Sequence, residues 1–174
     1  MLVYLNNFLS EEQSLSIYGD LQSIKGWEKR DNIDEDYHQL FLPKSFEGPR
    51  RKFFELLKKK AHTLISIVQS LYPSSIDFFN DHYLDFFKYE TYSKIGPHVD
   101  TRNIDGYKNF VTLIYYLNED YYGGLVRVYE EEKCVLKVAP KAGDAIILTQ
   151  DIKHESTTLK SGNKYIAIQH WGYN

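Results

Sequence analysis

The sequence predicts an α+β, mainly β fold: a double-stranded β-helix, or jelly roll, with N-terminal helices packed on one of its sheets. Three observations lead there. Apolar residues recur at helical spacing before residue 80, and short β-branched and aromatic runs punctuated by Gly, Asn, Asp and Lys follow from about residue 82. The 174 residues leave room for one domain only. Residues 1–174 are therefore expected to form one unit, with 1–80 as helical support and 81–174 as the jelly-roll core.

Leu2 to Leu5 is a short apolar strand candidate. Ser10-Glu11-Glu12-Gln13 then puts Ser at an N-cap and Gln three positions on, an arrangement that satisfies two free backbone N–H groups and starts a helix. That helix is expected to run to Lys25, before Gly26. Residues 28–49 are charged and irregular, punctuated by Pro43, Gly48 and Pro49. Phe53, Phe54, Leu57, Ala61, Leu64, Ile65, Val68 and Leu71 recur at three- and four-residue spacings and predict a second helix, ending before Pro73. Strands follow at 82–90, 95–100, 109–117, 125–130, 133–138, 143–149 and 164–171. Seven or eight short strands after a helical start fit a double-sheet jelly roll.

Apolar residues make up 43% and charged residues 26%, the balance of a globular chain rather than a disordered one. With 21 Lys plus Arg against 24 Asp plus Glu, the net charge of −3 supplies no global attraction to nucleic acid or to an anionic membrane. Cys134 is the only cysteine, so an intramolecular disulfide and a Cys-based zinc site are excluded, and a reducing compartment is the natural setting. Met1 to Phe8 has no basic segment followed by an apolar run, and nowhere do 18 uncharged apolar residues stand in a row. The expectation is a cytoplasmic protein with no membrane partner.

His98 and Asp100 stand two apart in a strand-like stretch, where alternating side chains put positions i and i+2 on one face. An imidazole and a carboxylate there supply two of the three ligands of a two-histidine, one-carboxylate facial triad, which leaves open positions on an octahedral Fe(II). His154, after the apolar strand Ala145-Ile146-Ile147-Leu148, is the candidate third ligand. With six His and 24 carboxylates, a lone His-x-Asp is unsurprising. Lys164 adds to it. If the strand before His154 and the strand beginning at Lys164 are antiparallel neighbours, with Ser161-Gly162-Asn163 as the turn, the ammonium approaches the metal pocket and implies a small acid with a distal carboxylate. The alternative is an exposed strand-end lysine.

These residues lie within motifs that resemble the iron and 2-oxoglutarate dependent oxygenases, in the prolyl 4-hydroxylase branch of the hypoxia-factor and collagen prolyl hydroxylases. The resemblance spans roughly residues 84 to 171. It is carried by His98-Val99-Asp100, Ile114-Tyr115-Tyr116-Leu117-Asn118, Gly123-Gly124-Leu125-Val126-Arg127-Val128-Tyr129, Ala142-Gly143-Asp144, and His154 with Lys164 and Trp171 behind it. Leu5-Asn6-Asn7-Phe8-Leu9-Ser10 also looks like the family's entry to its first helix.

The resemblance implies that His98, Asp100 and His154 hold the iron and that Lys164 binds the distal carboxylate of 2-oxoglutarate. It further implies that Tyr116 and Tyr89 donate hydroxyl hydrogen bonds to that co-substrate. Arg127 would stand near the substrate opening. Each tyrosine can equally be a core residue, and Arg127 can form a surface ion pair with one of Glu130 to Glu132. The implied reaction consumes dioxygen, decarboxylates 2-oxoglutarate to succinate and hydroxylates a C–H bond, most naturally of a prolyl residue in a peptide or protein. A free amino acid or other small molecule, a nucleobase, and a catalytically silent binding module are the competing readings.

Two features depart from the family pattern. Lys stands ten after the distal histidine, as in collagen-type enzymes, where hypoxia-factor enzymes carry Arg nine after, so the anchor is a point charge rather than a bidentate fork. Trp171 stands seven after Lys164, one more than the family spacing, which predicts a bulge. The other polar clusters have blander readings. Arg50-Arg51-Lys52 and Lys58-Lys59-Lys60 read as a solvated helix face, and Asp81, His82 and Asp85 as strand-entry polars. His38 and His62 lack a paired ligand, and His170 reads as a strand residue beside the core. Glu130-Glu131-Glu132-Lys133 reads as a hairpin turn and Cys134 as a small strand hydrophobe. Tyr121-Tyr122 lines the substrate mouth or caps the core.

Overall fold

The structure is a computed structural model that describes residues 2–29, 39–43, 45–60, 63–64, 66–68, 84–100, 103–104 and 107–173. His38, His62, Asp81 and His82 lie outside the described residues.

β1 (Leu2–Leu5) leads into α1 (Glu11–Gln22), and β2 (Glu28–Lys29) and β3 (Gln39–Phe41) precede α2 (Glu47–Lys58). Then come β4 (Leu84–Tyr89), β5 (Ile95–His98), β6 (Asn103–Ile104), β7 (Tyr107–Tyr116) and β8 (Tyr122–Gly123). The chain ends with β9 (Val126–Glu130), β10 (Lys133–Val138), β11 (Ala145–Thr149), β12 (Lys153–Ser156), β13 (Leu159–Ser161) and β14 (Lys164–Tyr173). A large sheet has the order β1-β11-β7-β14-β4-β3-β2 with β6 on β7; a smaller one has the order β10-β9-β12-β5, and β13 pairs with β8. The long strands from β4 onward pass back and forth between the two sheets, giving a jelly roll.

Residue parity decides the layering, because successive side chains on a strand face opposite sides. On β7, β11 and β14, Val111, Leu113, Tyr115, Ala145, Ile147, Tyr165 and Ala167 pack with Ile17 and Leu21 of α1 and Phe53 and Leu57 of α2. Their even-numbered neighbours Ile114, Tyr116, Ile146, Leu148 and Ile166 pack with Val126 and Val128 of the small sheet. The helices thus cover one face of the large sheet, and the site forms on the other.

α1 begins as expected: the Gln13 N–H donates to Ser10 Oγ at 3.2 Å and the Ser10 N–H to Gln13 Oε1 at 3.0 Å. It stops at Gln22 rather than Lys25. α2 starts earlier than the periodicity suggests and ends at Lys58, with further helical residues at 63–64 and 66–68 that bury Leu64 and Val68 in the same core. Arg50 is not on a solvated face. Its guanidinium donates to the carbonyls of Leu84 and Leu42 and sits 3.5 Å from Asp85, tying α2 to the first strand of the core. The segment before residue 80 also contributes β1 to one edge of the large sheet and β2 and β3 to the other.

Glu131 and Glu132 form the β9–β10 hairpin turn, both at positive φ (48° and 66°). Cys134 is exposed on β10 rather than packed.

Candidate active site

β5 and β12 are paired so that His98 and His154 lie directly opposite each other. Asp100 follows two residues after His98, just past the end of β5, and its carboxylate turns back toward both rings. His98 Nε2 is 3.5 Å from Asp100 Oδ1 and His154 Nε2 is 3.6 Å from Asp100 Oδ2. One ligand atom from each of the three lies within 4.8 Å of the others, close enough to share one ion. The other ring nitrogens are engaged by backbone. His98 Nδ1 lies 2.9 Å from the Gly96 carbonyl and His154 Nδ1 3.1 Å from the Ile152 carbonyl. A carbonyl only accepts, so each Nδ1 carries a proton, and Nε2 is the nitrogen each ring turns toward Asp100 and can offer to an ion.

The electrostatics agree. Burial raises the cost of charge on Asp100, but its hydrogen bond to His98 and the field of the neighbouring imidazoles outweigh that and hold its carboxyl far below the usual range. Burial also opposes charge on His98, yet contacts with Asp100 and the Gly96 carbonyl raise its pKa, while the more deeply buried His154 is lowered by desolvation. A permanent carboxylate between two imidazoles is a donor set suited to a divalent ion.

Lys164 opens β14 on the opposite, large sheet, with its side chain 1% exposed. Its Nζ donates to Ser156 Oγ at 2.5 Å and to the Gly124 carbonyl at 3.2 Å, and lies 4.5 Å from the centroid of the Tyr89 ring. All three partners are neutral. Desolvation pushes the lysine down from 10.5 to about 7. Gly124 stands at φ +60°, a conformation that favours glycine, and a Cβ there would crowd Leu159 Cδ1 at 3.1 Å.

The neighbour relation expected for Lys164 is not the observed one. The strand before His154, β11, is separated from β14 by β7, and His154 sits on its own strand in the small sheet. Lys164 therefore faces the triad across the barrel. Between them runs a narrow cavity of about 40 Å³, walled by Ile114, Val126, Ile166 and Ile168, and lined also by Tyr89 and Tyr116. Both tyrosines thus border the cavity as well as the core.

Arg127 does not line this cavity. It projects from the outer face of β9 and donates to Glu155 at 3.1 Å rather than pairing with Glu130 to Glu132. Neither Tyr121 nor Tyr122 lines this cavity: Tyr121 packs against the core on the site's face, and Tyr122 is exposed.

The sequence reading missed Ser156 and took His170 only as a strand residue beside the core. Ser156, two after His154 on β12, caps the Lys164 ammonium. His170 lies on the same side of β14 as Lys164, at even spacing, and is paired across the sheet with Thr112, whose hydroxyl is 3.3 Å from His170 Nδ1. Its imidazole is among the neighbours whose field lowers the Asp100 carboxyl pKa. The bulge that the Lys164-to-Trp171 spacing predicts is not between those residues: both ladders of β14 run without a break up to Trp171 and the register shifts only after it, so strand parity puts Trp171 on the helix side and His170 on the face of the site. Strand parity alone would have found both had the strands been placed.

The model of the 2OG-Fe(II) oxygenase superfamily matches residues 84–173, about half of the chain. The chain belongs to this superfamily. As a 2OG-Fe(II) oxygenase it carries the Fe(II) and 2-oxoglutarate chemistry the family implies, and the His98-Asp100-His154 cluster has the donors for it. No curated protein sequence matches the chain.

Solved structures share the fold at low identity. A Pseudomonas putida prolyl-4-hydroxylase superposes with a TM-score of 0.76 at 13% identity, covering 99% of this chain and 92% of that one. A Trichoplax adhaerens prolyl hydroxylase in complex with a hypoxia inducible factor peptide fragment gives 0.76 at 19%, covering 97% and 82%. A viral collagen prolyl hydroxylase from Paramecium Bursaria Chlorella virus-1, in a 2OG complex, gives 0.69 at 17%, covering 99% and 96%.

Proposed function

We propose that this oxygenase hydroxylates a prolyl residue in a peptide or protein, with His98, Asp100 and His154 as the iron ligands and Lys164 as the anchor for the distal carboxylate of 2-oxoglutarate. The observation that carries the reading is Lys164 itself. A buried ammonium whose partners are a carbonyl, a hydroxyl and an aromatic face is electrostatically incomplete, and a carboxylate entering from the triad side supplies the missing charge. An acid bound by both the ion and Lys164 needs a metal-binding group at one end and a carboxylate at the other, which is the form of a 2-oxo diacid.

When bound, Fe(II) with 2-oxoglutarate supplies oxidative decarboxylation coupled to oxygen insertion into a C–H bond. The chain's own residues do the rest. His98, Asp100 and His154 would hold the ion through three donors, fewer than an octahedral Fe(II) takes. Tyr116 and Tyr89 offer hydroxyls to the co-substrate, and the isoleucines of the wall keep water away from it. Orientation of one substrate carbon is the protein's contribution to selectivity. The prolyl hydroxylases among the structural matches support a peptide substrate.

The test is mass spectrometry of a proline-containing peptide library, a free amino-acid mixture and host lysate, each incubated with the ferrous protein and 2-oxoglutarate. A gain of one oxygen on prolyl peptides, dependent on 2-oxoglutarate, is the expected result. Oxidation confined to free amino acids, or none above the Asp100→Ala background, would reject the substrate reading.

A further inference from the structure

The triad cavity is small beside a second cleft, of about 610 Å³, that adjoins it along the small sheet: Val126 and Ser156 line the cavity, and Leu125 and Thr157 line the cleft. On β12, His154 is near one end, and Thr157 and Thr158, which follow the other end, line this cleft. None of its lining residues belongs to the triad cavity. Its apolar surface comes from Tyr121, Tyr122 and Pro140, with the Tyr121 hydroxyl donating to the Pro140 carbonyl at 3.2 Å. Arg127, Lys141 and Lys160 face it against one lining carboxylate, Glu119, which accepts from the Ala142 N–H at 3.3 Å. Arg127 is already paired with Glu155, so Lys141 and Lys160 are the lining cations left to meet a ligand.

Two further observations point outward. Tyr122 and Tyr92 are 65% and 76% exposed, the two most exposed large apolar side chains described, and both flank β13: Tyr122 pairs with Ser161, and the Tyr92 N–H donates to the Leu159 carbonyl at 2.7 Å. In addition, β10 has β9 as its one strand partner among the described residues, and its chain continues through Ala139 and Pro140 into the cleft. An open strand edge beside an apolar, cationic cleft suits an extended chain.

We propose that this cleft is a docking site for an extended acidic peptide segment of a protein partner. Its carboxylates would meet Lys141 and Lys160, its apolar side chains Tyr121, Tyr122 and Pro140, and its backbone the free edge of β10. Arg127, held by Glu155, serves as a wall rather than an anchor. Tight nucleic-acid binding draws on roughly 6–10 phosphate contacts, more than three lining cations supply. The site is independent of the oxygenase reading and can be tested without metal.

Fluorescence anisotropy decides the matter with the full chain and three labelled probes: a peptide of alternating glutamate and leucine, its lysine and leucine counterpart, and a single-stranded oligonucleotide of similar length. The acidic peptide is expected to bind alone among the three, with affinity that falls as salt rises. The Lys141→Glu/Lys160→Glu double variant should weaken binding at least about tenfold, from two lost charge contacts turned repulsive. Lys58→Glu, an exposed charge reversal on α2, should leave binding unchanged, and circular dichroism should show both variants folded. Absence of acidic-peptide binding, equal binding by the double variant, or tighter binding of the oligonucleotide would each overturn the proposal.

Discussion

Lys164 makes co-substrate affinity depend on pH in a direction and window that follow from its burial. In the free protein its pKa is pushed down from 10.5 to about 7, so charging it at neutral pH works against a desolvation cost of about 5 kcal/mol. A bound carboxylate restores the charge and raises the pKa in the complex. Above pH 7 the free protein therefore takes up a proton on binding, and affinity is full below about pH 7 and lost as pH rises through it. The expected weakening relative to pH 6.5 is about tenfold at pH 8 and about a hundredfold at pH 9, levelling off only at the pKa of the complex. Titration calorimetry of 2-oxoglutarate into the zinc-loaded protein, in two buffers of different ionisation enthalpy, reads both the affinity and the proton uptake. Lys164→Arg, charged throughout, should give a flat profile. A flat wild-type profile from pH 6.5 to 9, or the same slope in the arginine variant, would refute the reasoning.

Four other outcomes are expected. Asp100→Ala removes the carboxylate shared by both imidazoles, so divalent-ion affinity and 2-oxoglutarate-dependent succinate formation should both be lost; unchanged succinate release would reject the ligand set. Ser156→Ala deletes the 2.5 Å partner of Lys164 and should weaken 2-oxoglutarate binding by about 1–2 kcal/mol while leaving binding of a 2-oxo monoacid unaltered in the same calorimetry. Asp144 accepts from the Tyr4 hydroxyl at 2.5 Å, the Asn7 N–H at 3.0 Å and the Lys141 N–H at 2.8 Å, so Asp144→Ala should cost about 3 kcal/mol in urea unfolding. Glu131→Asn with Glu132→Gly suits the two positive-φ positions of the β9–β10 turn and should stabilise by about 1 kcal/mol, checked by the same unfolding curves.

The parts legible in the sequence were those carried by a period or a local rule. The capping box at Ser10, the long strands β7, β11 and β14, and the pair of His98 with Asp100 follow from spacings of two, three or four residues. The strand of His154 was not legible, because Lys153-His154-Glu155-Ser156 has no apolar alternation and is held by its ladders to β5 and β9. The short strands β2, β3, β8 and β13 are too brief to show a period. Sheet membership was the deeper gap: β11 and β14 are both neighbours of β7, a fact of topology that no local pattern states, so Lys164 approaches from the facing sheet instead of an adjacent strand. Arg50 looked like part of a basic surface run because its partners, the Leu42 and Leu84 carbonyls and Asp85, lie beyond the helix.

Anomalous diffraction at the iron edge, from a crystal loaded with Fe(II) under anaerobic conditions, measures the convergence of the triad most directly. One peak is expected, bonded at about 2.1 Å to Nε2 of His98, Nε2 of His154 and a carboxylate oxygen of Asp100. An ion bound elsewhere, or one that lacks any of these three donors, would contradict the assignment.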